Sequence, residues 1–134
     1  MKLLLDTHIL MWTLAGDPRL SAKAGAFIED SDSELYCSVI TIWKTSIKYA
    51  KRPERTHLSG EMLIQYCADN GIRQLPLYFH HISMLDTLTR AEDAPAHNDP
   101  FDKMMIAQAK AENMFFLTHD GLLRYYDEPC ILYV

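Results

Sequence analysis

Lys2-Leu3-Leu4-Leu5-Asp6-Thr7 opens the sequence with a short apolar run that stops at an aspartate. A run of this length is typical of a buried strand. The residues that follow, Thr7–Ala15, carry apolar side chains at helical spacing until Gly16-Asp17-Pro18 ends the pattern. The sequence therefore predicts a strand, a carboxylate at the carboxyl end of that strand, and a helix that starts at once.

The same alternation of short apolar and longer amphipathic segments continues along the chain. Further strands are predicted at 35–38, 72–75, 114–117 and 131–134. Helices are predicted at about 21–30, 39–50, about 59–70, 79–90, 101–112 and 120–125, with a break at 52–57 and a loop at 94–100. Strands that alternate with helices indicate a parallel sheet covered on both faces. We expect one three-layer α/β/α domain over residues 1–134, with a central, mainly parallel sheet of four to five short strands.

The composition is that of an ordinary soluble domain. The chain has 134 residues, of which 49% are hydrophobic and 23% are charged, and this excludes a disordered or fibrous chain. Lys+Arg number 13 and Asp+Glu number 18, which gives a net charge of −5. This acidic balance argues against capture of nucleic acid by bulk charge, but it leaves room for a local site built of carboxylates.

The apolar runs and the cysteines indicate the cellular compartment of the protein. No apolar run approaches the roughly 18 residues that a membrane span needs, and the first residues fit no cleavable signal peptide. The cysteines Cys37, Cys67 and Cys130 are far apart and form no CxxC motif, so we expect buried free thiols. Together these features predict a protein of the cytoplasm with no membrane contact.

Four aspartates are predicted to meet at one edge of the sheet. Asp6 follows the first strand, Asp120 lies just beyond the fourth, and Asp99 and Asp102 open the long helix between them. In a parallel sheet all four lie toward the same edge. Convergent carboxylates repel one another unless a cation is present, and Mg²⁺ or Mn²⁺ suits such a cluster. The chemistry that this arrangement favours is metal-assisted hydrolysis of a phosphodiester.

Each aspartate also has a simpler interpretation as a helix-starting residue. Asp6 and Asp120 can cap the helices that follow them, and Asp99 before Pro100 is a typical N-cap. Asp102 then falls in the first turn, where a carboxylate favours the helix dipole. The joint pattern of all four acids, and not any one of them, favours the metal site.

Four motifs carry a family resemblance over nearly the whole chain. They are Leu3-Leu4-Leu5-Asp6-Thr7-His8, Ser38-Val39-Ile40-Thr41-Ile42-Trp43, His97-Asn98-Asp99-Pro100-Phe101-Asp102 with Ile106-Ala107-Gln108-Ala109, and Leu117-Thr118-His119-Asp120. In this order they resemble the PIN-domain ribonucleases, in particular the VapC-type toxins of bacterial toxin–antitoxin pairs.

The resemblance implies a fold, an activity and partners. The fold would be a PIN-like domain, and the activity that of an endoribonuclease toxin of the bacterial cytoplasm that needs Mg²⁺ or Mn²⁺. It implies that Asp6, Asp102 and Asp120 are the metal-binding acids and that Asp99 is an accessory acid of the same site. It also implies an RNA substrate, a homodimer and inhibition by a cognate antitoxin protein.

The chain departs from this family at Lys44. Proteins similar to this chain usually carry Glu directly after the tryptophan of the third helix, whereas here Lys44 follows Trp43. One interpretation is that the Lys44 ammonium points into the acid cluster and partly replaces the metal, which would leave a weakened or inactive nuclease. The other is that Lys44 extends to solvent and the acids still bind metal. A catalytically inactive PIN-like binding module that engages an antitoxin or RNA is therefore the alternative function.

Three further residues are candidates for contacting RNA. The Thr118 hydroxyl could bond a phosphate or a water, or could act as a structural cap. His119, like His97, could touch RNA, although a structural hydrogen bond is the alternative. Lys48 belongs to a basic stretch that could follow an RNA backbone or could be a solvated helix end.

Overall fold

A five-stranded parallel sheet forms the centre of the protein. In the computed structural model, which describes residues 1–134, the strands follow the order β3-β2-β1-β4-β5 and every neighbouring pair is parallel. The strands are β1 (Lys2–Leu5), β2 (Glu34–Ser38), β3 (Arg73–Leu75), β4 (Phe115–Thr118) and β5 (Ile131–Tyr133). The predicted parallel sheet is thereby confirmed, with β1 at its centre.

Seven α-helices and two short 3₁₀ helices connect the strands. They are α1 (Thr7–Ala15), α2 (Ala22–Glu29), α3 (Val39–Lys51), α4 (Pro53–Thr56), α5 (Gly60–Asp69), α6 (Phe79–Met84) and α7 (Pro100–Ala111), with 3₁₀ turns at Leu85–Thr87 and Gly121–Tyr125. None of these helices combines the length and the apolarity that a membrane crossing requires.

One local prediction is wrong, and a second, the break between α3 and α5, is confirmed but incomplete. The helix predicted over 79–90 ends at Met84 and is followed by a 3₁₀ turn, and the chain is extended from Leu88 onward because Thr89 bonds the Asp127 carbonyl at 2.7 Å. The break predicted at 52–57 contains the one-turn helix α4. Pro53 is pre-set for its first position, and His57, at φ 50°, ends it in the left-handed region.

The helices cover both faces of the sheet, as the three-layer prediction requires. On one face Leu3 and Leu5 of β1 pack with residues of α1, α2 and α5. On the other face Leu4 packs mainly with α7 and with Ile40 at the start of α3. All three leucines are fully buried, and burial of each contributes about 1.5–3 kcal/mol to folding.

Contacts at its start and in its middle fix the position of α3. Ser38 ends β2 and caps the helix by accepting a hydrogen bond from the Ile40 amide at 3.0 Å, and its hydroxyl donates to Gln108 of α7 at 2.5 Å. Farther along, Gly60 of α5 lies so close to α3 that a Cβ at this position would be 2.0 Å from the Ser46 hydroxyl oxygen. These contacts hold the middle of α3 at the carboxyl edge of the sheet.

Candidate metal and nucleic-acid site

A cavity of about 470 Å³ opens at the carboxyl edge of the sheet. It contains all four predicted acids, and it also contains Lys44. Its walls are formed by Asp6, Thr7, His8, Trp12, Lys44, Lys48, Asp99, Asp102, His119, Asp120 and Gly121. The sequence pattern therefore placed the acids on one edge correctly, although it did not single out Thr7, Trp12 or Gly121.

Asp6 and Asp120 meet because β1 and β4 are neighbours. Leu5 pairs with Leu117 in register, so the residues that follow the two strands emerge side by side. The Thr118 hydroxyl donates to Asp6 Oδ2 at 2.6 Å and accepts the Asp120 amide at 3.1 Å. This single hydroxyl therefore fixes both acids relative to each other.

The helix-capping interpretation of the acids also holds. Asp6 Oδ1 accepts the Thr7 amide at 2.7 Å, and Asp120 Oδ1 accepts the Leu122 amide at 3.0 Å. Asp99 Oδ1 accepts the Phe101 amide at 2.9 Å at the start of α7. Capping and clustering are not alternatives here, since each capping bond uses only one of the two carboxylate oxygens.

Asp102 is bordered by a buried histidine. His97 Nε2 lies 3.4 Å from Asp102 Oδ2, and His97 Nδ1 lies 2.8 Å from the Tyr126 hydroxyl. One ligand-type atom from each of His97, Asp102 and Asp120 can be chosen so that all three lie within 4.8 Å of one another. No local pattern indicates the contact with Tyr126, which lies 29 positions from His97 in the chain.

Burial and like charge oppose ionisation in this cavity. Burial raises the pKa of Asp6, against the opposing effect of its hydrogen bonds from Thr118 and Thr7. Burial also raises the pKa of Asp102, and the negative charges of Asp6 and Asp99 raise it further, to about 7. An Asp102 carboxyl with a pKa near 7 is only partly ionised at neutral pH. This indicates that the cavity holds too little positive charge to keep all of its carboxylates ionised.

Lys44 lies in the wall of the cavity and supplies part of the missing charge. Its Nζ is 4.0 Å from Asp99 Oδ2 and 5.9 Å from the centre of the Phe101 ring, and its side chain is 22% exposed. Its charge lowers the pKa of both Asp6 and Asp102. The ammonium is therefore close enough to act on the acids.

The donor chemistry of the cavity fits a hard divalent cation. Asp102 Oδ1 and Asp120 Oδ2 form no hydrogen bond with the protein, and Asp99 Oδ2 has only the 4.0 Å contact with Lys44. Carboxylate oxygens are the ligands that such cations prefer. These acids could hold a metal ion, with the Lys44 ammonium as a competitor for the same negative charge.

The three residues predicted to contact RNA have different surroundings. Lys48 is exposed and lines the cavity. His119 is also exposed at its rim, where it hydrogen-bonds the Val134 carbonyl and its ring stacks on Tyr133. Thr118 is fully buried and its hydroxyl is taken by Asp6, so the structure does not bring it to the surface.

Comparisons with known sequences agree with the motifs. A family model described as PIN domain matches residues 3–129. A search of curated proteins finds no match.

Several solved structures share the fold at low sequence identity. One of these is a crystal structure of VapBC2 from Rickettsia felis bound to a DNA fragment from the promoter. A chain in it matches with a TM-score of 0.70 at 15% sequence identity, and the match covers 100% of this chain and 98% of that one. A chain of a toxin–antitoxin complex from Klebsiella pneumoniae matches with a TM-score of 0.61 at 14% sequence identity, and the match covers 96% of this chain and 94% of that one. A chain of VapBC-1 from nontypeable Haemophilus influenzae matches with a TM-score of 0.59 at 16% sequence identity, and the match covers 90% of this chain and 87% of that one. These likenesses confirm the three-layer fold.

Proposed function

The chain belongs to the PIN-domain family, as its motifs predicted, and we propose that it is a metal-dependent endoribonuclease toxin of the VapC type whose activity is weakened by Lys44. The observation that carries the proposal is the shared cavity of four carboxylates, in which burial and then the charges of Asp6 and Asp99 raise the pKa of Asp102 to about 7. A site that holds so many acids together at a cost to their ionisation is built to receive a cation.

The acids have separate tasks in the proposed reaction. Asp6, Asp102 and Asp120 would hold Mg²⁺ or Mn²⁺, with Asp99 as an accessory ligand. When bound, the ion supplies an activated water and neutralises charge on the phosphate and the leaving oxygen. Thr118 keeps the Asp6 carboxylate in place through its 2.6 Å hydrogen bond.

The RNA is expected to approach along the rim of the cavity. Lys48 offers an exposed positive charge to the phosphate backbone beside the acids. His119 and Trp12 also line this cavity, with their rings edge to face, and we expect them to contact the base of a bound nucleotide. The phosphodiester would thus lie across the carboxylates.

Lys44 limits this chemistry. Its ammonium offsets part of the repulsion among the acids without a metal, so the cavity gains less by binding one. An ammonium is a point charge with no open coordination position, so it does not activate water. We therefore expect the wild-type chain to bind divalent cations weakly and to cleave RNA slowly.

The proposed partner is an antitoxin protein, because VapBC chains and a toxin–antitoxin complex share this fold. A single PIN-like domain spanning residues 1–134 and acting as a homodimer is part of the proposal. A cationic antitoxin side chain that reached the acids would have the same electrostatic effect as Lys44.

The test compares the wild-type chain with Lys44→Glu. Mn²⁺ affinity is measured by calorimetry and RNA cleavage is measured with Mg²⁺ or Mn²⁺. We expect Lys44→Glu to bind Mn²⁺ at least tenfold more tightly and to cleave faster, because one substitution changes the charge of the cavity wall by two units. Lys51→Glu is the matched control, since Lys51 is exposed on the same helix and does not line the cavity.

Two results would decide against parts of the proposal. Equal Mn²⁺ affinity of the wild-type and Lys44→Glu proteins would contradict the role given to Lys44. No cleavage by any version, including Lys44→Glu, would favour the alternative of an inactive binding module that engages an antitoxin or RNA. Asp6→Asn in the Lys44→Glu protein must abolish whatever cleavage that protein shows.

A further inference from the structure

His97 is a buried imidazole that contacts one of the acids without lining the cavity. It is 4% exposed, and its Nε2 lies 3.4 Å from Asp102 Oδ2. On its other side Nδ1 lies 2.8 Å from the Tyr126 hydroxyl. The Tyr126 ring is itself covered by the Arg90 guanidinium at 5.1 Å. His97 is therefore held on two sides, with its Nε2 directed at Asp102.

The proton positions of this chain follow from hydrogen-bond chemistry. A carboxylate that binds a metal ion is ionised and only accepts hydrogen bonds, so in the metal-binding state His97 Nε2 carries the proton that faces Asp102. A neutral imidazole has one N–H, and its other ring nitrogen is an acceptor. His97 Nδ1 is then an acceptor, and the Tyr126 hydroxyl donates to it. The tyrosine thus fixes both the ring orientation and the tautomer of the histidine.

We propose that His97 is a positioning residue for the metal site, acting through Asp102, with Tyr126 setting its tautomer. The inference rests on the proposed function, because it requires Asp102 to be a ligand. His97 engages Oδ2 and leaves Oδ1 without a protein partner. Without this contact the Asp102 carboxyl could turn about its terminal bond, and its oxygens would not be presented in a fixed arrangement. Partners that orient ligands in this way typically contribute 10–100-fold to metal affinity.

The test uses two substitutions with the same amide group that differ only in the length of the side chain. The terminal amide nitrogen of His97→Gln extends to the place of Nε2 and can still donate to Asp102. The shorter side chain of His97→Asn reaches only the place of Nδ1, so it keeps a contact with Tyr126 and loses Asp102. Both are made in the Lys44→Glu protein. Mn²⁺ affinity is measured by calorimetry, and the melting temperature of the metal-free proteins checks the fold.

We expect His97→Gln to retain the Mn²⁺ affinity of its Lys44→Glu parent within about threefold, and His97→Asn to lose at least tenfold. Equal affinity in the two variants, at similar melting temperatures, overturns the inference alone. A ¹⁴N coupling in the pulsed electron paramagnetic resonance spectrum of bound Mn²⁺ that disappears in His97→Gln would make His97 a direct ligand, and this also overturns it. Absence of Mn²⁺ binding in the parent overturns the proposed metal site together with the inference.

Discussion

The burial of Asp102 among other acids predicts that Asp102→Asn stabilises the metal-free protein at high pH. Asp102 has a pKa of about 7 in the folded protein, against 3.8 for an ordinary aspartate. Between these values the unfolded chain has released the proton while the folded chain keeps it. The free energy of unfolding therefore falls as the pH rises through this window. Asparagine has a similar shape and does not titrate, so the substitution removes this loss.

The size of the effect follows from the two pKa values. Each pKa unit corresponds to about 1.36 kcal/mol. Linkage over the interval from pH 5 to pH 8 gives a loss of up to about 2.5 kcal/mol for the Asp102 carboxyl. Counterions that enter the open cavity screen the part of this loss that comes from the charges of Asp6 and Asp99. We therefore expect Asp102→Asn to gain about 1–2.5 kcal/mol relative to the wild-type protein between pH 5 and pH 8.

The assay is urea unfolding of both proteins at pH 5 and pH 8, with a chelator present and low salt. The quantity of interest is the difference between the two proteins at each pH, because other titrating groups then cancel. Asp93→Asn is the control, since Asp93 is exposed and does not line the cavity. If the difference for Asp102→Asn is the same at both pH values, the reasoning about the crowded carboxylates is refuted.

Two further predictions concern contacts around the site. Thr118→Val should lower the free energy of unfolding by about 1–2 kcal/mol, because it removes the hydroxyl shared by Asp6 and Asp120. Urea unfolding measures this loss. The control is Thr118→Ser, which keeps the hydroxyl and should lose less stability. Gly60→Ala should destabilise the protein by about 1–3 kcal/mol, because the new Cβ would meet the Ser46 hydroxyl. Thermal unfolding measures that loss, and adding Ser46→Ala should recover part of it; no recovery would contradict the assigned contact.

Much of the site could be predicted because it depends on topology. A strand followed at once by a helix needs only local signals, and Asp6 stands at such a junction after β1. Since β1 and β4 are parallel neighbours, Asp6 and Asp120 had to meet. The position of Lys44 beside the acids depends on α3 starting directly after β2, and Ser38 at that junction is an ordinary capping residue.

The remaining features depend on contacts between residues that are distant in the chain. The bond from Thr118 to Asp6 joins positions 112 residues apart, and the sequence suggested a local capping or ligand-binding role for that hydroxyl. The early end of α6 has a similar cause. Thr89, just beyond it, bonds the Asp127 carbonyl at 2.7 Å and draws the chain away from the helical path, and no local pattern records this partner.

The capping bonds of the acids have a consequence for how such a protein can change over generations. Asp6, Asp99 and Asp120 each use one oxygen to start a helix and have a second one near the cavity. Asparagine caps helices about as well as aspartate, so a lineage could exchange these acids one by one and keep the same helices. Lys44 lies in the wall of the same cavity, at the position where the resemblance implies a glutamate. Descendants of a nuclease of this design can therefore lose the reaction while the scaffold survives to serve as a binding protein.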